Sequence, residues 1–202
     1  MKTYKIHLIR HGTTEGNEKG QYIGVTDLPI TTNGIIELEQ LKQAYSYPQV
    51  NIFYTSPMLR CIETLKILYP TARAIAVEEL SEINFGEFEG KTAAELENNP
   101  QFKDWASGKL PAPPSGESTA ELTARVAEGF GAVVRHLMSS GEHEAVLITH
   151  AGIIANILAT CGLPQQPAPM WRCDPGCGYT VRITPSLFMR SGAIEVQGPV
   201  PE

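Results

Sequence analysis

"EAVLITHAGIIANILATCG", residues 144–162, begins as a strand and ends as a helix. Its first part is apolar without polar alternation, the pattern of a strand covered on both faces in a parallel sheet. "GIIANILATCG" then takes helical spacing and stops at Gly162. A covered strand running directly into a helix is the repeating unit of an α/β protein. His150 stands at the junction, where such strands present ligand sites.

The same pattern recurs at the other end of the chain. "KIHLIRHGTT", residues 5–14, is an apolar run ending in Arg10, His11 and Gly12, and "TTNGIIELEQLKQAY", residues 31–45, follows as a helix with Ile35, Leu38 and Leu41 on one stripe. "NIFYTS", residues 51–56, is a second strand. "SPMLRCIETLKILY", residues 56–69, is a helix with Ser56 expected at the N-cap and Pro57 at the first helical position, which puts Arg60 in the first turn. "RAIAVEEL", residues 73–80, is a third strand, and "STAELTARVAEGFGAVVRHLMSS", residues 118–140, is a long helix with a capping box at Ser118 and Glu121. After a Pro-rich linker at 164–169, residues 178–184 and 193–197 read as two more strands. The expected fold is therefore an α/β three-layer sandwich, a mainly parallel sheet with helices on both faces, in one domain spanning 1–202. Residues 84–116, rich in Gly, Pro, Asn and acidic side chains, read as a lid-like insertion. It has a capping box at Thr92 and Glu95 and an apolar pair at Phe102 and Trp105.

Composition narrows the partners. The 202 residues are 42% hydrophobic, enough for an ordinary core, and carry 22 acidic against 16 basic side chains for a net charge of −6. That balance argues against nucleic acid or an anionic membrane as partner, so any anion site must be local. There is no membrane-span pattern, and the N-terminus reads as a core strand carrying His7 and Arg10, not as a secretory signal; the expected location is cytoplasmic. Cys61, Cys161, Cys173 and Cys177 are expected as reduced thiols, because "CDPGC" at 173–177 lacks the second Cys or His pair of a zinc site.

In a doubly wound sheet the two His-bearing strand ends share an edge with Arg60, at its helix N-terminus, and with Glu82, just past the third strand. Arg10, His11, Arg60, Glu82 and His150 thus converge. Two His and a carboxylate could hold a metal, but the two guanidiniums would repel a divalent cation. Arginine forks match phosphate oxygens, so the set is better suited to a phosphoryl group with neither metal nor cofactor, His11 serving as nucleophile and Glu82 as proton donor. His7, His136 and His143 read as structural or solvated. Phe85 and Phe88 either shield Glu82 or belong to the core.

Together, "LIRHGTTEGN" (8–17), "SPMLRCIETL" (56–65), "EINFGEFEG" (82–90) and "THAGII" (149–154) resemble the histidine phosphatase superfamily, also called phosphoglycerate mutase-like. The resemblance implies a phosphohistidine on His11, a phosphate pocket of Arg10, Arg60 and His150, and Glu82 as acid and then base. It also implies phosphate contact by Asn17 and approach of the Gly24 backbone amide to substrate. Ala151 replaces the usual Gly after the second histidine and is small enough to keep close backbone approach. "EINFGEFEG" lacks the His-Tyr pair of the mutases, and with "PPSGES" (113–118) it is more similar to the phosphatase branch, most of all to alpha-ribazole phosphatases. The implied activity is hydrolysis of a small-molecule phosphate ester. The alternatives are a phosphoglycerate mutase and an inactive phospholigand-binding module.

Overall fold

The computed structural model describes residues 2–202. Its sheet has the order β3-β2-β4-β1-β6-β7-β5, built from β1 (Tyr4–Arg10), β2 (Ile52–Thr55), β3 (Ala74–Ala76), β4 (Glu144–Thr149), β5 (Gly162–Leu163), β6 (Gly178–Ile183) and β7 (Ile194–Val200). β1, β4, β2 and β3 pair in parallel, as does β5 with β7, whereas β6 runs antiparallel to both β1 and β7. The sheet is therefore mixed. Its parallel half carries the strand ends singled out above.

Helices cover both faces. α6 (Thr119–Ser140) and α7 (Ala151–Cys161) bury Val126, Phe130, Val134, Ile153 and Ile157 against Ile6, Leu8, Ala145 and Leu147 on one side. On the other, α2 (Thr32–Ala44) and α3 (Leu59–Leu68) pack Leu38, Cys61, Leu65 and Leu68 against Ile9, Phe53, Val146 and Ile148. Alternate residues of β4 thus enter opposite cores, which is why its sequence shows no polar face. α6 starts at the capping box of Ser118 and Glu121.

Several local expectations are corrected. α3 begins at Leu59 with Met58 at its N-cap and no side-chain cap; the Ser56 hydroxyl is instead engaged by His150, 2.8 Å away. Arg60 remains in the first turn. On α2 Gly34 and Leu38 are buried and Leu41 packs half-buried on the core, whereas Ile35 is exposed. β3 shrinks to three residues, and Glu78–Leu80 forms a 3-10 turn. Between β6 and β7 lies a helix, α8 (Pro185–Ser191), with Pro185 in its first turn and Gly192 as C-cap at φ 71°.

The 84–116 segment contains α4 (Ala93–Leu96), with the Thr92–Glu95 capping box, and α5 (Pro100–Ala106), capped by Asn99. Phe85, Phe88, Phe102, Trp105 and Tyr22 form one cluster of tilted and edge-to-face rings, neighbouring centroids 5.2 to 6.2 Å apart. Backbone bonds between Tyr22 and Lys91 and between Gly90 and Tyr22 join this segment to the loop after β1. Phe85 and Phe88 are thus part of an aromatic core of their own. α1 (Glu15–Glu18) is a single turn in that same loop.

Candidate active site

The register of β1 on β4 brings the two histidines together. Arg10 pairs with Thr149, and the His11 amide donates to the Thr149 carbonyl at 2.9 Å, so His11 and His150 follow side by side with ring centroids 5.2 Å apart. The Ser56 amide donates to the Ile148 carbonyl at 2.9 Å, which places the start of the α3 segment at the same edge. Thr64, one turn beyond Arg60, accepts from the Gly12 amide at 2.8 Å and locks α3 to the β1 end.

His11 is 5% exposed. Its Nδ1 lies 2.8 Å from the Gly12 carbonyl; since a carbonyl only accepts, Nδ1 carries the proton and Nε2 keeps its lone pair. Burial, followed by the charges of Arg60 and Arg10, pushes the His11 pKa down to about 3, although the Gly12 bond opposes this. The ring is therefore neutral at ordinary pH, with a defined tautomer and a free lone pair on Nε2.

Arg60 is 1% exposed and accounts for its burial through neutral acceptors. Nη2 donates to Gly24 O at 2.7 Å, Nη1 to Thr26 O at 3.0 Å, and Nε to His150 Nδ1 at 3.2 Å. That last bond requires an unprotonated Nδ1, so the His150 proton sits on Nε2, facing the Ser56 hydroxyl. Burial, with the neighbouring His11 and Arg60, holds the His150 pKa well below its ordinary value. Both nitrogens of His150 are thus occupied within the protein. It buttresses the guanidinium, and any direct phosphate contact requires exchanging one of these bonds.

Arg10 donates through Nη1 to the Cys173 carbonyl at 2.9 Å, while its Nε is buried without a hydrogen-bond partner. Among the described residues, neither Arg10 nor Arg60 forms a salt bridge. Two guanidiniums unmatched by carboxylate, one of them with an orphaned buried donor, make a site suited to an oxyanion.

Glu82 is held by the amides of Ile83, at 3.0 Å, and Gly152, at 3.3 Å. A Cβ on Gly152 would come to 2.5 Å from Glu82 Oε1, so a side chain there would displace the carboxyl from its present position. Burial raises the Glu82 pKa, opposed by the two amides and by Arg60 and Arg10. The segment carrying Glu82 is braced by Arg125, which bonds the carbonyls of Glu79, Ser81 and Glu82 and forms a two-point ion pair with Glu117. A cavity of about 530 Å³, lined in part by Val25, Glu82, Asn84, Glu117 and Arg125, opens beside it.

The other expected residues take different parts. Asn17 Oδ1 is used by Thr14 in the α1 capping box, so of its side chain only the amide NH₂ is free to reach a ligand. Ala151 is the first residue of α7, whose opening amides have no partner within the helix. The Gly24 amide donates to the Glu89 carboxylate, and the Gly24 carbonyl accepts from Arg60. His7 bonds Thr180 and His136 bonds Tyr54, as structural histidines. Sequence reasoning assigns no site role to Ser56, Thr64, Glu89, Arg125 or the Cys173 carbonyl. The spacing of Ser56 pointed to a helix cap, and the others gave no local signal.

A profile of the histidine phosphatase superfamily, branch 1, matches residues 6–189, which includes every residue of this cluster. The chain belongs to the histidine phosphatase superfamily. Within this superfamily it is 26% identical over 187 residues to the adenosylcobalamin/alpha-ribazole phosphatase of Escherichia coli K12, covering 89% of this chain and 90% of that protein. It is 27% identical over 129 residues to a 2,3-bisphosphoglycerate-dependent phosphoglycerate mutase of Rhizobium etli, covering 59% and 62%. The alpha-ribazole phosphatase structure from Shigella flexneri superposes with a TM-score of 0.80 over 96% of this chain and 94% of that one, at 21% identity, and shows the same fold. Among the described residues no helix is long and apolar enough to cross a membrane.

Proposed function

We propose that this histidine phosphatase superfamily member is a phosphomonoesterase that hydrolyses a small phosphate ester through a phosphohistidine on His11, without a metal. The observation that carries the reading is the His11 tautomer: Nδ1–H fixed on Gly12 O, with Nε2 left as a lone pair beside two guanidiniums that have no carboxylate partner. Nε2 attacks phosphorus and the ester P–O bond breaks. Glu82, in the protonated form that burial favours, gives its proton to the leaving oxygen. The ring now bears the phosphoryl group and a positive charge, which the Gly12 carbonyl accepting from Nδ1–H stabilises. Glu82, now a carboxylate, takes a proton from water as that water attacks phosphorus. The P–N bond breaks, phosphate leaves, and both residues return to their starting forms.

Arg10 and Arg60 supply the charge neutralisation a metal would otherwise provide. Hydrolysis of an aryl phosphate is therefore expected to persist in EDTA and to be inhibited by vanadate, whose five-coordinate adduct resembles in-line transfer to nitrogen. Loss of activity on chelation, with recovery on adding a divalent ion, would count decisively against this. With 3-phosphoglycerate as substrate, the expected product is inorganic phosphate; formation of 2-phosphoglycerate would establish the mutase alternative.

Arg60→Ala is expected to leave His11 able to be phosphorylated but to lower kcat/KM on the order of 10²–10³-fold, the scale of one lost oxyanion donor. Steady-state kinetics alongside phosphoenzyme trapping separates this from loss of the nucleophile.

A further inference from the structure

Glu89 has no part in the chemistry above, yet its carboxylate organises the loop on which that chemistry leans. Oε1 accepts from the amides of Gly24 at 3.0 Å, Val25 at 3.2 Å and Phe85 at 3.0 Å. Oε2 accepts from Gly24 at 3.1 Å, from the Thr26 amide at 3.3 Å and from the Thr26 hydroxyl at 2.6 Å. With the amides of residues 24–26 turned onto Glu89, the carbonyls of Gly24 and Thr26 are the groups that meet Arg60 Nη2 and Nη1. The same loop presses on the acid side of the site. A Cβ on Gly24 would fall 1.7 Å from the carbonyl oxygen of Ile83, the residue after Glu82.

We propose that Glu89 is a positioning residue for the phosphate clamp, acting on Arg60 through the carbonyls of Gly24 and Thr26. The proposal rests on Arg60 being that clamp. Burial of Glu89 alone would raise its pKa, but the Thr26 hydroxyl and the Phe85, Gly24 and Thr26 amides outweigh this and keep the carboxyl below its ordinary value. The ionised side chain is therefore the form that holds the loop. Glu89→Gln removes the charge and turns an NH₂ toward amides that are themselves donors.

The test is a double-mutant cycle on the full chain, comparing wild type, Glu89→Gln, Arg60→Ala and the double variant. Two quantities are read: kcat/KM for an aryl phosphate, and the dissociation constant of inorganic phosphate by calorimetry. Glu89→Gln is expected to lower kcat/KM and to raise the phosphate dissociation constant, each by roughly 10–100-fold, the scale of lost charge-assisted hydrogen bonds. In the Arg60→Ala background the same change should cost less than about twofold, because the group it acts through is gone. A parallel cycle with Arg10→Ala should be additive, since Arg10 is anchored on the Cys173 carbonyl. Additive losses with Arg60, or a Glu89→Gln protein that loses thermal stability while keeping wild-type phosphate affinity, would overturn the proposal. Should Glu89→Gln not fold, Glu89→Asp, which keeps the charge but withdraws it by one methylene, enters the same cycle with the same expectation. A wild-type chain that binds phosphate but hydrolyses no ester would refute the phosphatase reading alone, and the binding arm would still decide the role of Glu89.

Discussion

His11→Ala is expected to abolish turnover and to eliminate the acid-labile phosphoenzyme, with kcat falling on the order of 10⁴–10⁶-fold, as when a covalent nucleophile is removed. The size follows from the geometry. Nε2 of His11 is the nitrogen left free of hydrogen bonds, whereas both nitrogens of His150 are taken by Arg60 and Ser56. No other side chain described at the site stands ready to accept the phosphoryl group. Rapid-quench experiments with ³²P-labelled substrate, read before and after acid treatment, measure this directly. Label retained on the His11→Ala protein would reassign the nucleophile, with His150 the first to examine.

Glu82→Gln should have the next largest effect, and one that depends on the substrate. Glutamine keeps the shape but has no proton to give, so alkyl phosphates, whose alkoxide leaves poorly, should slow about 10²–10⁴-fold. Aryl phosphates with acidic phenols need less help and should lose no more than about tenfold. The pH profile gives a second readout. His11 must be neutral, and with its pKa near 3 it loses nucleophilicity only in strong acid. Glu82 must be protonated, so alkyl-ester activity falls as pH rises through its elevated pKa, and this alkaline limb should vanish in the variant. Equal losses on both substrate classes, under conditions where phosphoenzyme formation limits the rate, would show that Glu82 positions substrate and that another group supplies the proton.

The parts of this site legible in the sequence were those on strand ends. An apolar run buried on both faces stops where the sheet stops, so the positions of His11 and His150 announced themselves, and the β1–β4 register then made them neighbours. Arg60 was placed correctly although its helix begins two residues later than its cap signal indicated. The Ser56 hydroxyl could serve the helix or His150, and the fold resolved that choice through a contact 94 residues distant. Glu89 and Arg125 were not legible for a related reason. A glutamate after an aromatic residue, or an arginine on an amphipathic helix, reads as a solvated side chain until packing supplies its partners. The antiparallel direction of β6 and the short helix α8 escaped as well. Strand direction leaves no local trace, and seven residues hold little periodicity, although Pro185 and Gly192 bracket α8 with the usual start and stop residues.

The two guanidiniums without carboxylate partners also bear on how the protein could change over evolutionary time. Burying Arg60 to 1% exposure against neutral acceptors, with Arg10 Nε left unbonded nearby, makes the free chain less stable than one with a compensating acid at the same place. On the proposed mechanism an acid there would fill the oxyanion site and end catalysis, so selection for that activity would work against this source of stability. The deficit has to be met elsewhere, and the two layers of apolar side chains on the faces of the sheet are where the molecule meets it. Stabilising substitutions should therefore be tolerated in those layers, well away from the strand ends, while the charge imbalance at the edge persists for as long as the chemistry does.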